Sequence, residues 1–177
     1  MYKIITFVLI NILVSIYLIA PFPTAPNLPN GLVSTEPGDT TQISNVKAYY
    51  TNQYRKDVMP FFYNNIKTPY ILINHPPERA KQVFRDTTQS YYLEEFVIPL
   101  KGSIYINGFE WENDVFTKPD QREANKMLVN KVEYKSKVSI RTFESKIYLR
   151  FANLILLNIT IITILFAIKK AFYEDKR

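Results

Sequence analysis

The chain has 177 residues, with 22 Lys and Arg against 16 Asp and Glu, four Gly and no Cys. The absence of cysteine excludes disulfides, thiolate nucleophiles and Cys-ligated zinc, and so few glycines leave no phosphate-cradling loop. The formal charge of +6 falls to +3 between Pro21 and Arg150, where 17 Lys and Arg face 14 Asp and Glu, too mild a balance for a nucleic-acid partner.

Residues 1–20 read as a first transmembrane helix. Ile4 to Ala20 carries no charge, and about 17–25 apolar residues cross the ~30 Å hydrocarbon core. An uncleaved anchor is expected rather than a signal peptide, because the apolar run exceeds a typical h-region and Ala20 sits in a poor cleavage context between Ile19 and Pro21. Residues 21–43 form a Pro-rich linker (Pro21, Pro23, Pro26, Pro29, Pro37), suited to extended backbone.

Residues 44–148 are expected to be one α+β domain built on a mainly antiparallel sheet with two or three helices. From Ser44 to Asn65 the positions Val46, Tyr50, Tyr54, Val58, Phe61 and Phe62 recur at helical spacing, with Ser44 as N-cap and Pro60 as a kink or stop. Pro69 to Asn74 reads as a short buried strand. A second helix opens after His75 at Pro76-Pro77, with Ala80, Val83, Phe84 and Tyr91 as its apolar face. Asn107-Gly108, set between Ser103–Ile106 and Phe109–Glu112, predicts a type I′ hairpin turn. Asp120 and Glu123 predict a capping box for a short helix through Val129. Val132 to Thr142 alternates as one strand, apolar on the face of Val138 and Ile140 and cationic on the face of Lys135, Lys137 and Arg141.

Residues 149–168 read as the second transmembrane helix and 169–177 as a basic cytoplasmic tail (Lys169, Lys170, Lys176, Arg177). The positive-inside rule then puts both termini in the cytoplasm and the domain outside. Inside the spans, Asn11 lies seven residues from Ile4 and Asn158 ten from Ile168. At ~1.5 Å per residue their depths differ by only about 5 Å, so an amide contact between the helices is expected.

His75, the only histidine, reads as a capping or turn residue. Glu94 and Glu95 point to opposite faces of a strand, and Glu110 and Glu112 read as exposed hairpin carboxylates. No metal or cofactor is expected. The high Lys, Ile, Asn and Tyr content resembles that of an AT-rich bacterial genome. Two spans, inside termini and one outer domain are similar in topology to polysaccharide chain-length regulators, although the second span here lacks the proline those proteins carry.

The expected function is therefore non-enzymatic: an accessory or scaffold subunit of the bacterial plasma membrane. Its outer domain would contact a protein, a second copy or an anionic envelope polymer through Tyr105, Trp111, Lys135, Lys137 and Arg141, while its spans contact lipid and pair through Asn11 and Asn158. A two-span sensor is the alternative. A membrane-anchored hydrolase using His75 or the Ser103–Lys101 pair ranks last.

Overall fold

A computed structural model describes residues 2–37, 39, 45–79 and 91–174. The chain divides into two compact units: Met1–Phe22 with Glu144–Arg177, and Pro23–Phe143.

The first unit consists of helices α1 (Tyr2–Ile19) and α3 (Ile147–Glu174). Both are long and apolar enough to cross a membrane, and their surfaces are almost wholly uncovered by protein. Polar contacts join them. Asn158 Nδ2 donates to Asn11 Oδ1 at 2.6 Å. Arg150, 3 % exposed, donates from one terminal nitrogen to Leu18 O at 2.8 Å and from Nε to Ser145 O at 2.9 Å, and pairs with Glu144. The last carbonyls of a helix have no partner within it, and the Arg150 guanidinium supplies one to α1.

The second unit is α+β. Its six-stranded sheet contains β1 (Leu32–Val33), β2 (Val46–Thr51), β3 (Ile71–His75), β4 (Tyr92–Ile98), β5 (Gly102–Glu110) and β8 (Ser136–Glu144), in the order β1-β2-β8-β5-β4-β3. The pairs β1–β2, β2–β8, β3–β4 and β4–β5 are antiparallel. A separate hairpin joins β6 (Met127–Val129) and β7 (Val132–Tyr134). Helix α2 (Arg55–Asn65) covers one face of the sheet.

Cross-strand partners share a face, so the register sorts the side chains. On the α2 side, Glu94, Phe96 and Ile98 lie opposite Ile106, Ile104 and Gly102. The Phe96 ring packs against Tyr63 of α2 and against Tyr70. On the other side, Glu95 lies opposite Tyr105 and Ile73. The core is Val58, Met59, Phe62, Phe96, Ile98, Ile104, Ile106, Val138 and Ile140, all nearly inaccessible. The sheet core is apolar by alternation around Phe96, Ile104, Val138 and Ile140, while Glu94 of β4 and Glu110 of β5 are buried with it.

The structure corrects several expectations. The predicted helix from Ser44 to Asn65 divides into β2 and α2. Val46, Tyr50, Tyr54 and Val58 are four apart, a spacing that satisfies a helical period and strand alternation equally. Tyr49, Tyr50 and Thr51 favour the strand. Ser44 lies outside the described residues, and the N-cap of α2 is Tyr54, whose backbone N–H donates to Asp57 Oδ2 at 3.4 Å. Pro60 does not end α2, which runs on to Asn65. The missing N–H costs one bond to the carbonyl of Lys56, a residue exposed to water.

The strand expected to be buried at Pro69–Asn74 is β3. Among the described residues it pairs only with β4, and Ile71, Leu72 and Ile73 are exposed. A helical turn begins after Pro76, but Ala80, Val83 and Phe84 lie outside the described residues, as do Lys176 and Arg177.

Asn107-Gly108 is not a turn: β5 passes straight through it. The glycine serves a close approach instead, since a Cβ at Gly108 would overlap the Tyr92 ring. The β4–β5 turn is Ile98-Pro99-Leu100-Lys101, closed by Lys101 N–H donating to Ile98 O at 3.0 Å, with Leu100 at φ 61°. Pro at the first corner and a positive φ at the second match a type II turn.

The single strand expected from Val132 to Thr142 breaks at Lys135. Asn130 and Lys131, at φ 52° and 66°, supply the two positive angles of a type I′ turn and fold β7 back on β6. Val132 is consequently exposed, while Val138 and Ile140 are buried as expected. The predicted helix from Asp120 to Val129 is a 3₁₀ segment, Pro119–Asn125, that starts with Pro119 and lacks a side-chain cap. Met127–Val129 belongs to β6.

Candidate functional site

The chemistry concentrates where the N-terminal end of α2 meets β4 and the end of β5. An open cleft of about 670 Å³ is lined there by Tyr54, Arg55 and Tyr63 from the α2 side, by Tyr91 and Glu94 from the β4 side, and by Glu110, Glu112 and Asn113. A neighbouring hollow of about 400 Å³ shares Arg55 and Tyr91 and continues to His75, Pro76 and Pro77.

Each carboxylate is held by donors from a different element. Glu94 is 1 % exposed. Its Oε1 accepts from Arg55 Nε at 3.0 Å and from a terminal guanidinium nitrogen at 2.7 Å, and its Oε2 accepts from Tyr63 OH. Burial, followed by the Glu94 hydrogen bond, raises the Tyr63 phenol far above its ordinary value. Glu110, also 1 % exposed, accepts from the backbone N–H of Arg55 at 2.6 Å and from Asn113 Nδ2 at 2.5 Å. It thereby caps α2 from the sheet, where a negative charge is favoured by the helix dipole. Glu112 accepts from Tyr54 OH. This hydrogen bond is the main cause of the raised Tyr54 pKa, and Lys135 opposes it. Glu110 thus departs from the expected exposed position: sheet register and the 3₁₀ turn at Trp111–Asn113 carry it under α2.

On the opposite face of the sheet, Glu95 organises a second network. His75 Nε2 lies 2.9 Å from Glu95 Oε2, while Ser103 OH and Tyr105 OH donate to Oε1 at 2.6 and 2.8 Å. Burial raises the Glu95 pKa, but the hydrogen bonds from Ser103, Tyr105 and His75 outweigh it and the net shift is downward. Burial and the same bond push the Tyr105 phenol up to about 12. Ser103 points its proton at the carboxylate and not at His75, so the trio is not the serine–histidine arrangement that nucleophilic attack requires. Among the described residues, no group of three His, Asp or Glu side chains could hold a metal ion.

The residues anticipated as a contact surface are dispersed. Tyr105 is half-buried, hydrogen-bonded to Glu95 and edge-on to Phe143 at 5.5 Å. Trp111 is 8 % exposed, with the Lys126 ammonium 5.0 Å above its ring. Lys137 is ion-paired to Glu36 at 2.7 Å and Asp39 at 2.8 Å. Burial opposes its charge, but these two carboxylates raise its pKa on balance. Arg141 stacks on Phe143 and Lys135 on Tyr54, at 4.9 and 5.0 Å. Lys137 and Arg141 share a face of β8 and Lys135 lies at the break before it, and they do not form a uniform cationic patch, because Lys137 is neutralised.

The sequence reading missed both carboxylate networks, since Arg55 and Tyr63 reach Glu94 through the packing of α2 on the sheet, and His75 and Tyr105 reach Glu95 through strand pairing. The available signal was two adjacent glutamates inside the apolar run Tyr92–Ile98, where burial demands partners. No family model matches the chain, and no curated protein or solved structure matches it either.

Proposed function

We propose that this protein is a non-enzymatic, membrane-anchored component of a bacterial cell envelope, and that its cleft binds an uncharged, hydroxyl-rich envelope polymer such as a glycan strand. In this reading α1 and α3 cross the plasma membrane. Lys3 and Lys169-Lys170 lie on the cytoplasmic side, and the α+β unit lies outside. The orientation is supported by the absence of Lys and Arg from Pro21 to Asp39.

The observation that carries the ligand class is the lining of the cleft. Three tyrosines offer amphipathic rings with polar tips. Glu94, Glu110, Glu112 and Arg55 are already fixed by hydrogen bonds, so their remaining lone pairs and N–H groups present a preorganised polar wall. Formal charges of three carboxylates against Arg55 and Lys56 leave the cleft negative, which disfavours a polyanion and suits a neutral polyol. The neutralisation of Lys137 by Glu36 and Asp39 weighs in the same direction.

The test is co-sedimentation of the detergent-solubilised full-length protein with insoluble envelope glycan from the native host, alongside native purification and mass spectrometry. The expected result is saturable sedimentation that Tyr91→Ala weakens at unchanged melting temperature. A protein that stays in the supernatant, or binding indifferent to Tyr91→Ala, overturns the ligand assignment.

A further inference from the structure

We infer that two copies of the chain associate within the membrane through the Asn11–Asn158 pair, an inference that rests on α1 and α3 spanning the bilayer. A primary amide has two N–H donors and an oxygen with two lone pairs. Asn11 uses one N–H on Phe7 O at 3.0 Å, and its oxygen accepts from Asn158 at 2.6 Å. Asn158 Nδ2 is thereby engaged once, and Asn158 Oδ1 has no donor among the described residues. The neighbouring hydroxyls of Thr160 and Thr163 are turned inward, each bonded to the carbonyl four residues earlier at 2.9 Å, so they offer it nothing.

An open amide oxygen at this depth has no water to meet it, and hydrocarbon supplies no donor. The two-helix hairpin cannot complete the group by itself. A second copy can. Across a twofold axis each chain brings a spare N–H and a spare carbonyl oxygen to the same depth, and the two Asn pairs satisfy each other reciprocally, as a symmetric interface requires. Polar side chains joining apolar helices are an established means of association in lipid. The rest of α3 presents exposed Ile155, Ile159 and Ile162, which lie on one stripe at helical spacing.

The chain contains no cysteine, so a single introduced Cys reports only on proximity between copies. Single-Cys variants from 154 to 163 would be oxidised in native membranes. The expected outcome is a disulfide-linked homodimer whose yield follows a helical period on the side of Asn158. Asn158→Leu should raise the dissociation constant of the dimer about tenfold, whereas Thr160→Val should leave it unchanged. Absence of cross-links, cross-links indifferent to Asn158→Leu, or cross-links to a different protein each overturns self-association. Alkaline extraction of the same membranes separates this failure from that of the membrane reading. A retained monomer overturns the dimer alone, and an extractable protein overturns the span.

Discussion

Replacing Arg55 by Met removes both guanidinium hydrogen bonds from Glu94 and leaves Oε1 of that carboxylate inside the protein without a donor. Breaking a fully buried pair by removing one partner costs about 3–5 kcal/mol. Here Glu94 is 1 % exposed but the Arg55 side chain is 38 % exposed, so water reaches part of the vacated space and the expected loss is about 2–3 kcal/mol. Tyr63 continues to hold Oε2 and limits the damage. At about 3–5 °C per kcal/mol for a domain of this size, the melting temperature should fall by about 6–15 °C. The assay is thermal unfolding of the full-length protein in detergent, followed by the fluorescence of the single Trp, Trp111. The double variant Arg55→Met, Glu94→Leu removes the charge as well as its partner. It should recover at least half of the loss, because an apolar pair avoids the desolvation penalty. A single variant within about 0.5 kcal/mol of the parent, in the range of ordinary surface substitutions, or a double variant no better than the single, would refute this account of the pair.

Four further outcomes are expected. Gly108→Ala should destabilise by about 3 kcal/mol through overlap with the Tyr92 ring, and adding Tyr92→Leu should restore part of that in the same melting assay. Lys131→Gly, which relieves a non-glycine residue at φ 66°, should stabilise the β6–β7 hairpin by about 0.5–1 kcal/mol; no gain in chemical denaturation would count against the I′ assignment. The Glu95 pKa is depressed in the folded protein, so its contribution is present above the ordinary value of 4.5 and is lost as pH falls through the lower native value. Glu95→Gln should flatten that acid limb. At the alkaline end, Tyr105 contributes below pH 10 and the contribution fades as pH rises towards about 12. Tyr105→Phe should remove one late-titrating phenol from the ultraviolet absorbance curve.

The two terminal helices and the α+β class were legible because each rests on a signal local to a window: an uninterrupted apolar run, or alternation such as Val138 and Ile140. The misplaced elements share a physical cause. Val46, Tyr50 and Tyr54 sit at a spacing that helix and strand both satisfy, and only pairing with β8 decides between them. Asn107-Gly108 has the composition of a turn, yet its glycine answers to Tyr92, sixteen residues earlier in sequence. The I′ turn that does form uses Asn130-Lys131, where lysine hides the signal. The candidate site was the least legible part. Glu94 meets Arg55 and Glu110 meets the start of α2 across 39 and 55 residues, distances at which no sequence pattern reports proximity.

Arg150 also fixes an order of events. Its bond to the Leu18 carbonyl spans 132 positions of sequence, so α1 leaves the ribosome and settles long before its partner exists. Through that interval the Leu18 carbonyl must find its partner elsewhere, since the last carbonyls of a helix have none within it. Everything from Pro23 to Phe143 is synthesised in the meantime. The seam between the first and last helices can therefore close only once synthesis has reached α3, and Arg150 is what closes it.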